Sequence, residues 1–579
     1  MRDLDTQTTF HSASDRMLRA FIGRLTLGIS PVALAQAYQD WVLHMAMSPG
    51  LQWELSQKTF RKLAQLAVYA SRSALDPKTE PYVKPLPGDN RFRDPEWQSW
   101  PFNLYYQSFL LGQQWWHTAT TALRGPSRHH KNMTWFMAKQ LLDFGSPSNF
   151  PWSNPVILKR TQEQGGMNLL RGLQNWMEDM ERQIANERPA GAEQYQVGKN
   201  IAITPGKVVY RNRLIELLQY EPSTPQVQAE PVLIVPAWIM KYYILDLSPH
   251  NSMVKYLVDH GHTVFMISWK NPQAEDHDLG MEEYLRLGLG DALNAVSAIV
   301  PERRIHSVGY CLGGTLLAIM AAAMGRDNDL RLQSMTLFAA QTDFSEAGEL
   351  RLFIDESQLS FLEDIMWDKG YLDTTQMAGA FQLLRSYDLI WSRMVSEYLL
   401  GDRAPMNDLM AWNSDATRMP YKMHKEYLRR LFLNNALANG CYRVGDRPVA
   451  LSHIRVPIFA VATEQDHVAP WHSVHKLLLQ ADSEVTFLLT NGGHNAGVVN
   501  EPGHPHRHYR ISVTHDGAGY LDPEAWLERT PIQEGSWWPA WHDWLSQQSS
   551  GPSAPPPLGN PERGYVPLEN APGTYVLQP

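Results

Sequence analysis

Six short apolar runs after residue 230 restrict the fold more than any other feature of the chain. They are P-V-L-I-V-P (231–236), T-V-F-M-I-S (263–268), I-H-S-V-G (305–309), S-M-T-L-F-A (334–339), P-I-F-A-V-A-T (457–463) and V-T-F-L-L-T (485–490). Each has strand length, and most stay apolar through their interior instead of alternating, as parallel strands buried on both faces do. Helical patterns separate most of them, and that alternation predicts a parallel sheet with helices on both sides. Between the fourth and fifth runs the chain continues from about 341 to 452 with a mostly helical pattern. A structureless loop of that length is out of scale for a compact domain, so the segment reads as an inserted cap.

The third run leads into Tyr310-Cys311-Leu312-Gly313-Gly314 and then into a small-residue, helix-favouring stretch, T-L-L-A-I-M-A-A-A-M (315–324). Strand, Gly-flanked turn and helix form the layout of a nucleophile elbow, which lifts one side chain into solvent. Glycines at 309 and 313 fit a turn whose backbone segments come too close for a Cβ. The usual occupant is Ser; here it is Cys311. The helix that follows aims its N-terminal dipole and free N–H groups at the sulfur, which favours thiolate. The Leu312 amide is placed to donate to an oxyanion. A Gly-rich turn around an inert, buried Cys fits the pentapeptide alone equally well.

Two later strand ends weigh against that bland reading. The fifth run ends in A-T-E-Q-D-H, which carries Asp466, and the sixth in N-G-G-H-N, which carries His494. Nucleophile, acid and His in that chain order is the order of the α/β-hydrolases. With 21 His in the chain, a His nearby is cheap, but one after a Gly-Gly turn at the correct strand end is less so. Glu464 and His467 are weaker rivals, displaced from the expected position. A second oxyanion donor should come from the loop after the first run. Pro236 has no N–H, which leaves Ala237, Trp238 and Ile239.

The expectation is therefore an α/β chain: an α/β-hydrolase core with a helical cap insertion, plus a mainly helical N-terminal domain. Residues 1–85 read as an N-terminal helical segment and linker. In it, Pro31 follows a Ser cap and Ser48-Pro49-Gly50 breaks two helices. Residues 86–225 read as a mostly helical domain that ends in strands with a turn at Pro205-Gly206. The catalytic domain takes 226–546, with its cap at about 341–452. The tail, 547–579, is Pro-rich and expected to be extended or disordered.

Composition removes several alternatives. The 579 residues carry a net charge of −9 with no basic run, which argues against nucleic acid as a partner. Two Cys, 311 and 441, give no disulfide framework and no Cys-pair metal site. The first residues, M-R-D-L-D-T-Q-T-T-F, lack the regions of a secretory signal, and no apolar run reaches membrane-spanning length. A cytoplasmic protein is expected. Twenty Trp are many for the length and read as binding surface or as core.

G-Y-C-L-G-G-T, A-T-E-Q-D-H-V-A-P-W and N-G-G-H-N-A-G together resemble the polyhydroxyalkanoate (poly-β-hydroxybutyrate) synthases. So do D-N-R-F-R-D-P-E-W (89–97), S-P-S-N-F-P, I-T-P-G-K-V-V-Y-R-N, K-Y-Y-I-L-D-L (241–247), F-M-I-S-W-K-N-P, A-W-N-S-D-A-T-R-M-P (411–420) and G-S-W-W-P (535–539). The resemblance spans roughly 85–547, and the helical pair between Ser30 and Ala70 is similar to an N-terminal segment of that family. The Tyr-Cys-Leu box resembles the single-subunit, short-monomer (class I-like) type. One loop departs: the family's usual V-P-P-W-I-N-K is Val235-Pro-Ala-Trp-Ile-Met-Lys241 here, with Ala237 and Met240 in place of Pro and Asn.

What the resemblance implies is a polymerase of (R)-3-hydroxyacyl-CoA, 3-hydroxybutyryl-CoA in particular. Its Cys, Asp and His map onto Cys311, Asp466 and His494. Coenzyme A is released as the polyester grows on the granule surface, with no cofactor and no metal. A homodimer and a cytoplasmic, granule-surface location are further implications. Asp466 either orients His494 or activates the 3-hydroxyl directly. The rival readings are a Cys-dependent hydrolase (thioesterase or polyester depolymerase) and a non-catalytic granule-associated protein.

Overall fold

The computed structural model describes residues 10–579 except 27, 77, 87, 375, 377, 378, 380–385, 516 and 518. Among the described residues seven α-helices precede the sheet: α1 (Phe10–Leu25), α2 (Pro31–Ala46), α3 (Pro49–Leu75), α4 (Phe102–Thr121), α5 (Arg128–Phe144), α6 (Pro155–Glu163) and α7 (Met167–Ile184). Their punctuation is local chemistry. The Ser30 hydroxyl accepts from the Ala33 N–H at 3.3 Å and Pro31 opens α2. Pro49 opens α3 two residues after α2 is capped by Met47. Asn154 accepts from the Val156 and Ile157 amides to start α6. These satisfy the free N–H groups of a helix start.

An antiparallel pair, β1 (Gly206–Arg211) and β2 (Ile215–Tyr220), opens the sheet. β3 (Val227–Gln228) stands outside it. Then come β4 (Val232–Val235), α8 (Met253–Asp259), β5 (Val264–Trp269), α9 (Met281–Glu283), α10 (Asp291–Ile299), β6 (Ile305–Tyr310), α11 (Leu312–Arg326) and β7 (Leu332–Phe338). The cap holds α12 (Glu356–Lys369), the short strands β8 (Tyr371–Leu372) and β9 (Met419–Pro420), and the hairpin β10 (Tyr442–Val444) and β11 (Arg447–Val449). β12 (Ile458–Thr463) and β13 (Val485–Thr490) return to the sheet, and β14 (His508–Thr514) and β15 (Gln533–Glu534) extend it antiparallel. In the tail, β16 (Pro552–Ser553) pairs with β3 and β17 (Glu569–Asn570) with β1.

The eleven strands lie in the order β15-β14-β13-β12-β7-β6-β4-β5-β2-β1-β17. The six apolar runs are its six parallel strands, β4, β5, β6, β7, β12 and β13. Their burial on both faces explains their composition: Leu233 and Val235 of β4 face one core layer, Val232 and Ile234 the other. The molecule is an α/β-hydrolase fold with a helical cap between β7 and β12 and a helical region ahead of the sheet.

Two points refine the sequence reading. The strands read after the Pro205-Gly206 turn are β1 and β2, and they belong to the catalytic sheet because β2 pairs antiparallel with β5. The Pro-rich tail is extended but not free. Buried Glu216 accepts from the Thr574 and Tyr575 amides at 3.0 and 2.9 Å, and Asn271 binds Gln578 and Pro579 at 2.9 and 2.6 Å. Backbone bonds fix it as well: the Leu568 and Ala571 amides donate to the Val208 and Gly206 carbonyls of β1 at 2.8 and 2.9 Å. The N-terminal helices lie on the cap: Arg19 pairs with Asp364 at 2.8 Å, and the Ser30 amide donates to Gln358 at 2.8 Å. Among the described residues no helix is long and apolar enough to cross a membrane.

Candidate active site

Cys311 stands at the C-terminal end of β6 with φ 53° and ψ −121°, a strained backbone for a residue with a Cβ. The close packing around it requires glycine on each side. A Cβ on Gly309 would lie 2.4 Å from the Gly314 Cα, and one on Gly313 would lie 2.1 Å from the Val235 carbonyl oxygen. The elbow is therefore wedged against the end of β4. Cys311 caps α11 and is partly exposed, while the helix behind it is buried along most of its length. Leu312 is the first residue of α11, so its N–H is one of the helix's free donors beside the sulfur.

Asp466 follows β12 and His494 follows β13, both at the end of the sheet that carries Cys311. The His494 Nδ1 lies 2.7 Å from the Asp466 Oδ2. Asp466 is buried, and each of its oxygens is engaged. Oδ1 accepts from the Val468 and Ala469 amides, both at 2.8 Å, and Oδ2 accepts from Thr463 Oγ1 at 3.2 Å as well as meeting His494. Burial disfavours charge on His494, but Asp466 and then the adjoining Cys311 outweigh it and hold the imidazole well above its usual range. The rivals lie elsewhere: Glu464 pairs with His508 at 3.4 Å, and His467 is exposed.

The loop after β4 is packed and pinned. Ala237 and Trp238 are buried. The Pro236 carbonyl accepts from Trp269 Nε1 at 2.9 Å, the Trp238 carbonyl from Thr417 Oγ1 at 2.5 Å, and the Ile239 carbonyl from the Thr417 N–H at 3.1 Å. Met240 bridges to Ala416 of the cap. Ala237 and Met240 thus sit in a loop held between sheet and cap. Over the site the roof is aromatic: Tyr427, close to Cys311, packs edge-on against Trp238 at 6.3 Å and against Phe432 at 5.3 Å.

Sequence reasoning missed the residues that lock the triad loops together. The Tyr310 hydroxyl donates to Asn495 Oδ1 at 2.5 Å, tying the residue before the Cys to the residue after the His. The tryptophans near 540 brace the same loop. Trp537 and Trp538 donate to the Gly497 and Val498 carbonyls at 2.9 and 3.0 Å, and Trp541 reaches Thr336 on β7 at 3.1 Å. Tyr310 and Asn495 both lay inside the quoted motifs; only their pairing across 185 positions was invisible. Cys441, the other thiol, is exposed and donates to the Asn439 carbonyl.

Comparison with known proteins places the chain in a family. Residues 88–257 match the family described as the poly-beta-hydroxybutyrate polymerase (PhaC) N-terminus, residues 9–50 match the poly-beta-hydroxybutyrate polymerase N-terminal family, and residues 230–500 match the alpha/beta hydrolase fold. The poly(3-hydroxyalkanoate) polymerase of Methylorubrum extorquens is 41% identical over 502 residues, 86% of this chain and 82% of that one. The corresponding PhaC subunit of Rhizobium meliloti is 39% identical over 84% of this chain and 79% of its own. That of Cupriavidus necator is 33% identical over 84% and 83%. An α/β-hydrolase sheet, the N-terminal region of these polymerases and identity along most of the length lead to one assignment: the chain belongs to the poly(3-hydroxyalkanoate) polymerases, acyltransferases that polymerise hydroxyalkanoates.

Proposed function

We propose that the protein polymerises (R)-3-hydroxyacyl-CoA, with 3-hydroxybutyryl-CoA as the preferred monomer, through an acyl thioester on Cys311. The observation that carries this reading is a Cys, not a Ser, on the elbow, adjoining a His494 that is bound at 2.7 Å to a fully hydrogen-bonded Asp466. In the loading step His494 takes the thiol proton and Cys311 Sγ attacks the thioester carbonyl. The new C–S bond forms, the bond to the coenzyme A sulfur breaks, and the departing thiolate takes the proton from His494. One thioester replaces another, so the step is nearly energy-neutral. A Ser would form an oxygen ester and release that energy before chain growth.

In the growth step the 3-hydroxyl of a monomer or chain end attacks the acyl-Cys. His494 accepts its proton and returns it to the Cys311 sulfur as the ester forms. The Leu312 amide serves the oxyanion, with a second donor among Ala237, Trp238 and Ile239. Asp466 has the orienting role, since both its oxygens are already committed and direct activation of a hydroxyl would break those bonds. Tyr427 and Trp238 roof the site and keep water from the acyl-enzyme. The reading extends to a single-subunit, short-monomer enzyme acting as a homodimer at the surface of cytoplasmic polyester granules, without metal or cofactor.

The test is supply of (R)-3-hydroxybutyryl-CoA to purified protein. Polymer with stoichiometric coenzyme A release is the expected result. Release of soluble hydroxy acid instead would make the protein a hydrolase, and no turnover would make it a binding protein. A series of short and medium acyl-CoAs sets the monomer range.

A further inference from the structure

The tail, the loop after β4 and the cap meet around two buried side chains. Lys241, at the end of that loop, is buried, and its ammonium donates to the Gln578 carbonyl. A buried ammonium needs such an acceptor to recover its desolvation. Asn271, the second residue after β5, is buried as well and is bonded on two sides. Toward the tail, its N–H donates to Gln578 Oε1 at 2.9 Å and its Nδ2 to the Pro579 carbonyl oxygen at 2.6 Å. Toward the cap, its Oδ1 accepts from the Arg418 N–H at 2.9 Å.

These bonds join into a closed ring. From Gln578 it passes to Lys241 and back along the loop to Ile239 and Trp238, whose carbonyls accept from the Thr417 N–H and Oγ1. Thr417 leads to Arg418, Arg418 to Asn271, and Asn271 returns to Gln578. Trp412 Nε1 adds a further cap bond, to the Lys241 carbonyl at 2.8 Å. The consequence for the loop follows from the planar, trans peptide, in which C=O and the next N–H point in opposite directions. Pinning a carbonyl therefore aims the amide that follows it. Trp269 Nε1 on the Pro236 carbonyl aims the Ala237 N–H, and Thr417 on the Trp238 carbonyl aims the Ile239 N–H.

We propose that Asn271 and Gln578 are positioning residues for acyl transfer: they close the ring that holds Thr417 and so aims the Ile239 amide of the oxyanion loop. The inference rests on the oxyanion reading of that loop given above. Both residues act through the loop and not on the reacting atoms. With either one removed, the Thr417–Arg418 segment loses its tie to β5 or to the tail, and the Trp238–Ile239 peptide is free to turn. The donor then points away from the developing charge for part of the time, which costs rate more than substrate binding.

The test is a double-mutant cycle in the full-length protein: N271A, Q578A and N271A/Q578A, with Q578E as the conservative variant that keeps an acceptor oxygen. Gln578 is half-buried at the surface end of the tail, so Q578A puts the fold at little risk if N271A proves unstable. Turnover of (R)-3-hydroxybutyryl-CoA is measured at a temperature where each variant is fully folded. The expected result is a kcat lowered about tenfold in each single variant, with KM changed by less than about twofold. The double variant should lose no more than either single one, because both open the same ring, and Q578E should stay near wild type. Unchanged kcat in Q578A overturns the proposal, and so does a double variant whose loss is the product of the two single losses. Damage in Q578E equal to that in Q578A overturns it too. Hydrogen exchange of the Thr417 amide, which donates to the Ile239 carbonyl, needs no turnover and separates this inference from the polymerase reading. Exchange about tenfold faster in Q578A supports the ring even if no polymer forms. Exchange equal to wild type overturns the ring even if the protein polymerises.

Discussion

α11 and α7 are both regular helices rich in apolar residues, and they are used in opposite ways. In α11, twelve of the residues from Leu312 to Met324 are buried between sheet and cap, and no side is left for water. In α7 the buried residues are Asn168 and Gly172, while Met167, Leu170, Leu173, Trp176, Met177, Met180 and Ile184 are exposed. The face of α7 turned to the cap is polar. Asn168 and Asn175 donate to the Leu399 and Glu397 carbonyls at 2.8 and 2.9 Å, and Asp179 binds Arg393, Arg403 and the Tyr398 hydroxyl. A helix apolar all round announces its own burial. A helix with one apolar stripe announces only that two faces differ, and the usual assignment of the apolar face to the core fails here. α11 makes the nucleophile's platform; α7 fastens the N-terminal region to the cap by hydrogen bonds.

The sharpest contrast lies at the start of α11. Cys311→Ala removes the nucleophile, and polymer formation should fall by roughly 10⁴-fold or more while the fold is retained. Retained coenzyme A release in this variant would sink the assignment of Cys311. Next come paired charge insertions. Ala322→Glu places a carboxylate in the α11 interface, where nothing described can pair it, and should cost about 3–5 kcal/mol. Met177→Glu, on the exposed face of α7, should change stability by no more than about 0.5 kcal/mol. Denaturant midpoints of the two variants decide this; equal losses would mean that the α7 stripe is covered in solution.

Glycine is the one device the two helices share. A Cβ on Gly313 would meet the Val235 carbonyl oxygen at 2.1 Å, and a Cβ on Gly172 would meet the Tyr398 carbonyl oxygen at 1.9 Å. Both Gly→Ala variants should lose about 1–3 kcal/mol. Only Gly313→Ala should also lower kcat, because the displaced segment is the nucleophile's own. A lowered kcat in Gly172→Ala at a temperature where the variant is fully folded would break that distinction.

The same contrast governs what the chain discloses before it folds. The six parallel strands were legible because burial on both faces leaves no room for polar residues. The acid and the His were legible because each follows such a strand within a few positions. The strands after Pro205-Gly206 were legible too, but not their place in this sheet, since β1 and β2 join it through an antiparallel contact to β5 rather than through a strand–helix alternation. The fixed tail was not, because its anchor is a buried Glu216 on another strand, and composition reports only that proline cannot supply donors. The lock between Tyr310 and Asn495 escaped for the same reason, being a contact between two loops. Tyr310→Phe should therefore loosen the His494 loop and lower kcat about tenfold, with about 1 kcal/mol lost in stability. Unchanged kcat would reduce that hydrogen bond to a fold contact.

The smallest expected effect concerns protonation of the site at the end of β13. His494 is held above its ordinary value by Asp466 and Cys311 despite burial, so the folded state binds its proton more tightly than the unfolded chain, whose His titrates near 6.5. The linked stability is fully present below about pH 6.5 and is lost as pH rises through the raised value. His494→Gln removes the titrating group and leaves a side chain that still reaches Asp466. The melting temperature of the wild type should fall more steeply than that of the variant as pH is raised from 6.5 into the alkaline range. The two curves should run parallel between pH 5 and 6, where the wild-type imidazole is charged in both states. Parallel curves over the whole range would mean that His494 has its ordinary affinity for the proton.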